Sequence, residues 1–500
     1  MTALVLVCDT FTGGWAWREV AAALRESGAE AHPVTLTGMG DRRHLAGPDT
    51  DLETHIQDLT QLIDHLDAPD VVMVGHGYGI HPVLGAADRR PERIAGIVHL
   101  DAGMPQDGDP ALALVPDQAV RERLDRTGPT EEDWLLPPPP REQWPRWGSV
   151  AGVPADALAR LDRLAAPQPL GTLSQPLRLS GAASELPTTG VLCTANGSSI
   201  ALVEALVGMG DPRFRALTDP RVGFFELDTG HWPMLSVPGE LAGVLLKGAA
   251  GEGHRVAAAV SGRPAHLGPF LLDVPQRRRE RVGRVDLHLP DADGPRPAVV
   301  FVHGGPVPPD VEPTPRDWPT LVGYGQYVAS LGVVGVVVDH RLHDLGDHGR
   351  AAEDVAEAVE LVRADPRVDG GRVALWYFSG GGLLSADWLA APAPWLRCVA
   401  ASYPMLAPLP NWGLTDSRFR PAVAVRNAGR LPIVLTRVGL ERAEIAVTVD
   451  EFLSAAEDCE ANVEVVDVPH GRHGFEAIDH TEEARDAVER AVRSVLGHLR

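Results

Sequence analysis

The sequence predicts an α/β protein built from two consecutive domains, each a mainly parallel sheet flanked by helices. Three observations carry this expectation. The length of 500 residues suits roughly two to four folding units. Short β-type runs alternate with helical patterns, as in βαβ units. A small-residue segment near the middle, Lys247-Gly248-Ala249-Ala250-Gly251-Glu252-Gly253-His254, has the composition of a linker, and the alternation begins again after it. With 44% hydrophobic and 23% charged residues, the composition is that of a globular chain and excludes general disorder.

In the first half the candidate strands are Ala3–Cys8, His32–Thr35, Val71–Val74, Ile97–Asp101, Gly190–Thr194 and Gly223–Leu227. Each is a short apolar run, as expected of strands buried on both faces. Helical patterns fall at Trp15–Glu26, Thr54–Leu66 and Tyr78–Asp88. From about 118 to 186 the rhythm breaks into Pro- and Trp-rich sequence, including Pro137–Pro140, Trp134, Trp144 and Trp147, which reads as a cap inserted over a site. The second half offers strands at Arg284–Leu289, Ala298–His303, Val333–Asp339, Val373–Ser379, Arg397–Ser402, Ile433–Val438 and Val463–Val468. Its helices are expected at Arg350–Ala364, Asp450–Glu460 and Thr481–Leu499. The expected domains are therefore 1–246, with the cap, and 266–500, joined by a linker over 247–265.

Charge narrows the function classes. The formal net charge is −23, and both halves are acidic, so phosphate backbones and anionic lipid surfaces make poor partners. No nucleic-acid or membrane role is expected. The N-terminus lacks the basic flank and long apolar core of a signal peptide, and no run approaches 18 apolar residues. Cys8, Cys193, Cys398 and Cys459 are too far apart for a zinc knuckle or a disulfide framework, and a cytoplasmic location is expected.

The second half contains the parts that acyl transfer needs: an exposed nucleophile, a base, an orienting carboxylate and main-chain donors for the oxyanion. Val373–Phe378 is an apolar strand running into Ser379-Gly380-Gly381-Gly382, the pattern of a nucleophile elbow. His303-Gly304-Gly305-Pro306 follows another apolar strand, and its glycines would let N–H groups near Gly304 and Gly305, with that of Gly380, form an oxyanion hole. Pro469-His470-Gly471-Arg472-His473-Gly474-Phe475 lies on a loop after the last strand, with His473 favoured over His470 as base because it precedes Gly474-Phe475. On these motifs residues 280–500 resemble the prolyl-oligopeptidase and dienelactone-hydrolase branch of the α/β-hydrolase superfamily. The resemblance implies a triad of Ser379, His473 and an acid after the strand Ile433–Val438, where Glu441 is the choice and Glu444 its rival. Tyr377 departs from the pattern by standing where a glycine usually precedes the serine, which puts the shape of the elbow in question.

The first half carries Phe11-Thr12-Gly13-Gly14-Trp15-Ala16-Trp17, Thr35-Leu36-Thr37-Gly38-Met39-Gly40-Asp41-Arg42, Gly75-His76-Gly77-Tyr78-Gly79 and Gly230-His231-Trp232-Pro233-Met234. These stretches resemble the capped α/β-hydrolases related to plant hydroxynitrile lyases and methylesterases. The resemblance places a serine where this chain has Gly77, and a His-Gly turn where it has Cys8-Asp9-Thr10. The acid position reads Ala195-Asn196-Gly197, leaving Asp101 to orient His231. Three roles remain open for this half: a pseudo-hydrolase kept for packing, solubility or dimerisation; a ligand-binding cover; or a His231–Asp101 general base without covalent catalysis.

His470 and His473 have an HxxH spacing but no third ligand nearby, so no metal is expected. No GxGxxG follows a strand and no GxxxxGK[ST] occurs, so no nucleotide cofactor is expected either. Arg277-Arg278-Arg279-Glu280-Arg281 reads as a solvated basic face. The expected function is serine hydrolysis or acyl transfer on a small carboxylic ester, thioester or related acyl substrate through the second half, with no cofactor. The alternatives are a non-hydrolytic lyase, cyclase or isomerase of bacterial secondary metabolism, or a non-catalytic binding or scaffold protein.

Overall fold

A computed structural model describes residues 2–116, 120–121, 123–124, 133–208, 212–257, 264–309, 311–409, 414 and 418–500. The first part of the expected cap, from Gln118 to Glu132 apart from a few residues, and residues 258–263 of the expected linker lie outside them. The chain divides into two compact units, Met1–Val207 with Pro212–Ala258, and Gly208–Asp211 with Ala259–Arg500.

In the first unit six strands form one sheet: β1 (Ala3–Val7), β2 (Glu30–Val34), β3 (Val71–His76), β4 (Ile94–Leu100), β5 (Thr188–Cys193) and β6 (Val222–Leu227). Their order is β2-β1-β3-β4-β5-β6 and every pairing is parallel. Side chains alternate across the pleat, so Val5 and Val7 of β1 enter one core while Leu4 and Leu6 enter the other. Burial on both faces explains why these strands read as continuous apolar runs. The helix Leu52–His65 starts where Asp51 and Thr54 form a reciprocal capping box. The Pro- and Trp-rich insertion contains a helix at Ala155–Leu164 and a short antiparallel ladder between Leu135–Leu136 and Gln168–Pro169.

Lys247–Ala249, expected to begin the linker, are instead the last turn of the helix Pro238–Ala249, whose Leu241, Ala242 and Leu245 are buried. His254 also pairs with Phe224 of β6. Burial of the apolar face holds this helix through small residues that composition alone assigns to a loop.

The second unit contains β7 (Arg278–Val282), β8 (Val285–Leu289), β9 (Arg296–Val302), β10 (Val334–Val338), β11 (Val368–Phe378), β12 (Leu396–Ser402), β13 (Ile433–Leu440) and β14 (Val463–Arg472). The order is β14-β13-β12-β11-β9-β10-β8-β7, with β8 antiparallel to both its neighbours, β10 and β7, and the remaining pairings parallel. Along β11, Leu375 and Tyr377 enter one core and Trp376 and Phe378 the other. A helix over Pro319–Ser330 was not expected from the sequence; its high apolar and glycine content hides the polar stripe of an amphipathic pattern.

The basic run expected as a solvated face forms strand β7. Its alternate arginines reach the fully buried carboxylate of Asp286: Arg281 Nε donates to Oδ1 at 2.8 Å and Arg279 Nε to Oδ2 at 2.9 Å. Period-two spacing places both on one face of the edge strand, and Asp317 accepts from both as well. Breaking this arrangement leaves partly hydrated arginines without their buried partner. Asp286→Ala is expected to destabilise the second unit by about 1–3 kcal/mol, read from urea unfolding, while Arg281→Ala costs less because the arginine is half-exposed.

Candidate functional site

The loops at the C-terminal ends of the strands carry the polar clusters in both units, where open α/β sheets place their sites. In the second unit β11 ends at Phe378 and Ser379 follows with φ of 50°, a left-handed conformation that costs a residue with a β-carbon on the order of 1 kcal/mol. The turn is held because neighbouring backbones come very close: a β-carbon on Gly380 would lie 2.2 Å from the Gly305 carbonyl oxygen, and one on Gly304 would lie 2.8 Å from the Ser379 β-carbon. The glycines on both loops are thus a packing requirement, and they bring Gly304, Gly305 and Gly380 together around the serine. Tyr377 leaves this turn intact, since its ring is fully buried in the core on one face of the sheet with Leu383 and Leu384.

Ser379 Oγ lies 2.7 Å from His473 Nε2, and His473 Nδ1 lies 2.7 Å from Glu441 Oε2. Glu441 directly follows β13, and its other oxygen accepts from the Arg442 N–H at 2.8 Å. Glu444, the rival acid, stands in the first turn of the helix Ala443–Asp458, and His470 is largely exposed beside Glu483. Two groups behind His473 escaped the sequence reading. The Tyr403 ring meets the His473 ring edge-on at 4.8 Å, and Tyr403 itself has φ of 37°. Glu476 is fully buried and accepts from the Tyr324 hydroxyl at 2.9 Å. Burial pushes its carboxyl up to about 7.

The first unit has the same elbow without a hydroxyl. Gly77 follows β3 with φ of 50°, and a β-carbon there would lie 2.2 Å from Asp9 Oδ1. The carboxylate of Asp9 therefore fills the space of a nucleophile side chain. It accepts from the Tyr78 N–H at 2.6 Å and from His231 Nε2 at 3.0 Å. His231 Nδ1 lies 2.7 Å from Asp101 Oδ2, to which the Asn196 amide also donates at 2.7 Å. Asn196, standing at the expected acid position, thus positions Asp101.

Burial alone would lower His231, but its hydrogen bonds to Asp101 and Asp9 push it up to about 10. Burial alone would likewise raise the Asp9 carboxyl, and the His231 bond with the His76 and His231 charges holds it below its usual range. His231 consequently keeps its proton at neutral pH, which disfavours a resting general base. The sequence signal for Asp9 was a lone carboxylate at the end of an apolar strand, visible as a loss of His-Gly but not as a replacement group.

The cap closes over this cluster. Trp147 packs edge-on against Phe11 at 4.7 Å, Trp144 against Trp232 at 5.7 Å, and a β-carbon on Gly148 would lie 2.4 Å from that of His231. Trp134 stays near its base, where its carbonyl accepts from the Leu170 N–H. Among the described residues, Asp9, His76 and His231 are the group whose ligand atoms could meet at a metal, lying within 4.8 Å of one another. His231 Nε2 and Asp9 already bond each other, and His76 Nε2 donates to the His231 carbonyl at 2.7 Å. No helix among the described residues is long and apolar enough to cross a membrane.

Residues 4–244 match the model of the alpha/beta hydrolase family. The carbendazim hydrolyzing esterase of Nocardioides sp. (strain SG-4G) is 33% identical over 255 residues, which cover 48% of this chain and 97% of that protein. The putative chloroplastic methylesterase 12 of Arabidopsis thaliana is 34% identical over 23% of this chain and 33% of its own. An extracellular alpha/beta-hydrolase from a Paenibacillus species aligns at 18% identity over 50% of this chain and 99% of its own, with a TM-score of 0.41.

Glu476 makes the second unit's stability pH-dependent. Its folded-state value of about 7 lies above the ordinary 4.5, so its contribution is full below 4.5 and is lost as pH rises through 7. Glu476→Gln removes that loss. Thermal and urea unfolding should show the variant gaining on the parent protein between pH 4.5 and about 8, by up to about 3 kcal/mol, with no gain at the acidic end.

Proposed function

The chain belongs to the alpha/beta hydrolase family, and from that premise we propose that its second half is a serine hydrolase or acyltransferase acting on a small carboxylic ester, thioester or related acyl group. In this reading the chain is a tandem of two such domains, the second akin to the dienelactone-hydrolase and prolyl-oligopeptidase branch. The first lacks serine chemistry because Gly77 has no hydroxyl. The observation that carries the proposal is the unbroken line from Ser379 Oγ through the His473 ring to Glu441, with both contacts at 2.7 Å. Such a line orients one imidazole nitrogen toward a nucleophile and the other toward a carboxylate.

In the proposed reaction, Ser379 Oγ attacks the acyl carbon while its proton passes to His473 Nε2. Glu441 holds the Nδ1–H and stabilises the imidazolium that forms. The oxyanion is assigned to main-chain N–H groups of the loop Gly304–Gly305 and of Gly380, which the elbow gathers around Ser379. His473 then returns its proton to the leaving alcohol or thiol, and water or another nucleophile releases the acyl group by the reverse sequence. A simple ester is the most direct acyl substrate with which to test this triad.

The test is hydrolysis of p-nitrophenyl acetate by the full chain. Ser379→Ala and His473→Ala should each lower kcat by roughly 10⁴- to 10⁶-fold, and Glu441→Gln by about 10⁴-fold, with KM little changed. Unchanged turnover in Ser379→Ala would refute the assignment. Glu444→Gln should stay within about threefold of the parent protein, which separates the two candidate acids.

A further inference from the structure

The end of the second unit's sheet away from Ser379 carries a cleft of about 420 Å³ that the serine chemistry does not use. It opens where two neighbouring strands begin: Leu396 and Arg397 start β12, and Arg430, Leu431 and Pro432 lead into β13. The same strands end at Ser402 and Leu440, next to the Tyr403 and Glu441 that meet His473. A strand of seven residues spans roughly 20 Å, so the cleft is a separate place and not a lobe of the serine site. Its volume falls within the range of small-molecule sites, about 300–1,000 Å³.

The lining runs against the charge of the chain. Acidic residues outnumber basic ones by 68 to 45 overall, yet the cleft is lined by Arg397, Arg430 and, from the C-terminal helix Glu482–His498, His498, with no carboxylate. Three separate segments bring donors to one hollow. Among the described residues, none of these three side chains is held by a hydrogen bond or an ion pair. The carboxyl of Asp369 is held below its usual range by its bond from Arg372 Nε, at 2.7 Å, with the Arg397 charge as a lesser contribution. Val399 of β12 pairs with Ile433 of β13, and the two arginines stand just before that pair. Adjacent strands lie about 5 Å apart, so both guanidiniums can reach one anion, whose charge would offset their mutual repulsion.

The rest of the lining selects among anions. Leu396, Leu431 and Ala428 are buried apolar side chains facing the hollow, and the prolines beside them have no N–H to donate. A phosphate has several oxygens to satisfy and draws on clustered main-chain N–H groups, which a proline-rich wall does not supply. A carboxylate has two oxygens, matched by the paired N–H groups of one guanidinium, and a hydrocarbon body attached to it can bury against the leucines. We infer that this cleft binds a small carboxylate with an apolar tail. Arg397 and Arg430 hold the charged head, His498 is a further donor, and Leu396 and Leu431 lie under the tail. The inference does not rest on the reading of Ser379, and a ligand bound here leaves the triad free.

The experiment titrates hexanoate into the full chain by isothermal calorimetry and maps the contact with a diazirine-bearing hexanoate, photolysed and read by mass spectrometry. The chain carries Ser379→Ala, so no acyl chemistry enters the measurement. The expected result is saturable binding that weakens by about tenfold or more in Arg397→Gln and in Arg430→Gln, and is lost when both are changed. Melting temperatures should stay at the parent value, because both arginines are exposed. Hexanamide, which keeps the body without the charge, and acetate, which keeps the charge without the body, should each bind about tenfold or more weakly than hexanoate. The photolabel should fall on segments 392–397 and 428–432. No binding of hexanoate up to about 10 mM overturns the inference, as does binding unchanged in the double variant or a label confined to other peptides. Hexanamide binding as well as hexanoate, or inorganic phosphate displacing it at equal concentration, overturns the assignment of a carboxylate. None of these outcomes bears on Ser379, because no turnover is read.

Discussion

The acyl chemistry of this chain hangs on a sharp turn at the end of a central strand. At Gly77 and at Ser379 the backbone takes the same left-handed value, φ of 50°, immediately after β3 and β11. The turn is held by packing: at the second elbow β-carbons on Gly380 and Gly381 would lie 2.2 and 2.3 Å from the carbonyl oxygens of Gly305 and His303. The sheet can therefore hold a strained serine in place, because relaxing it would require two loops to part. The same constraint makes the first elbow informative. With no side chain at Gly77, the volume it would occupy is still there, and a neighbouring carboxylate fills it.

The two sites differ in charge more than in geometry. His473 stands between a hydroxyl and one carboxylate, His231 between two carboxylates. The second negative charge fixes a proton on His231 and takes the elbow N–H out of use. A hydrolase frame with its serine deleted is thus not simply the same site minus a hydroxyl; its charges are arranged differently. At the second site the wall of Tyr403, packed against Phe378 and Phe475, limits where the His473 ring can go, so the base is held by packing as well as by Glu441.

The α/β class and most strands were legible because parallel strands buried on two faces leave unmistakable apolar runs, as at Val71–Val74 and Ala298–Val302. The structure brings Ser379, His473 and Glu441 into one hydrogen-bonded line, and the chemistry of the elbow and of the last loop explains why local motifs sufficed to nominate them. The choice of Glu441 with Glu444 as rival rested on the resemblance alone, since both stand on the strand-to-helix turn; in the structure it is Glu441 that meets His473. Asp9, Tyr403 and Glu476 were not nominated because each acts across the sheet or from a neighbouring strand end, and such contacts leave no spacing to read. The edge strand β7 was hidden by its arginines, whose partner Asp286 lies on the next strand. The Lys247–Ala249 turn was hidden by small residues that a buried helix face overrides.

The central claim is that covalent acyl chemistry resides at one hydroxyl in the second unit. Its most direct test is to treat the intact chain with a fluorophosphonate and map the modified peptide by mass spectrometry. The account predicts a single adduct, on Ser379, that forms slowly or not at all in His473→Ala and is absent in Ser379→Ala. An adduct on any other residue, or a Ser379 that stays unmodified in folded protein, would contradict it.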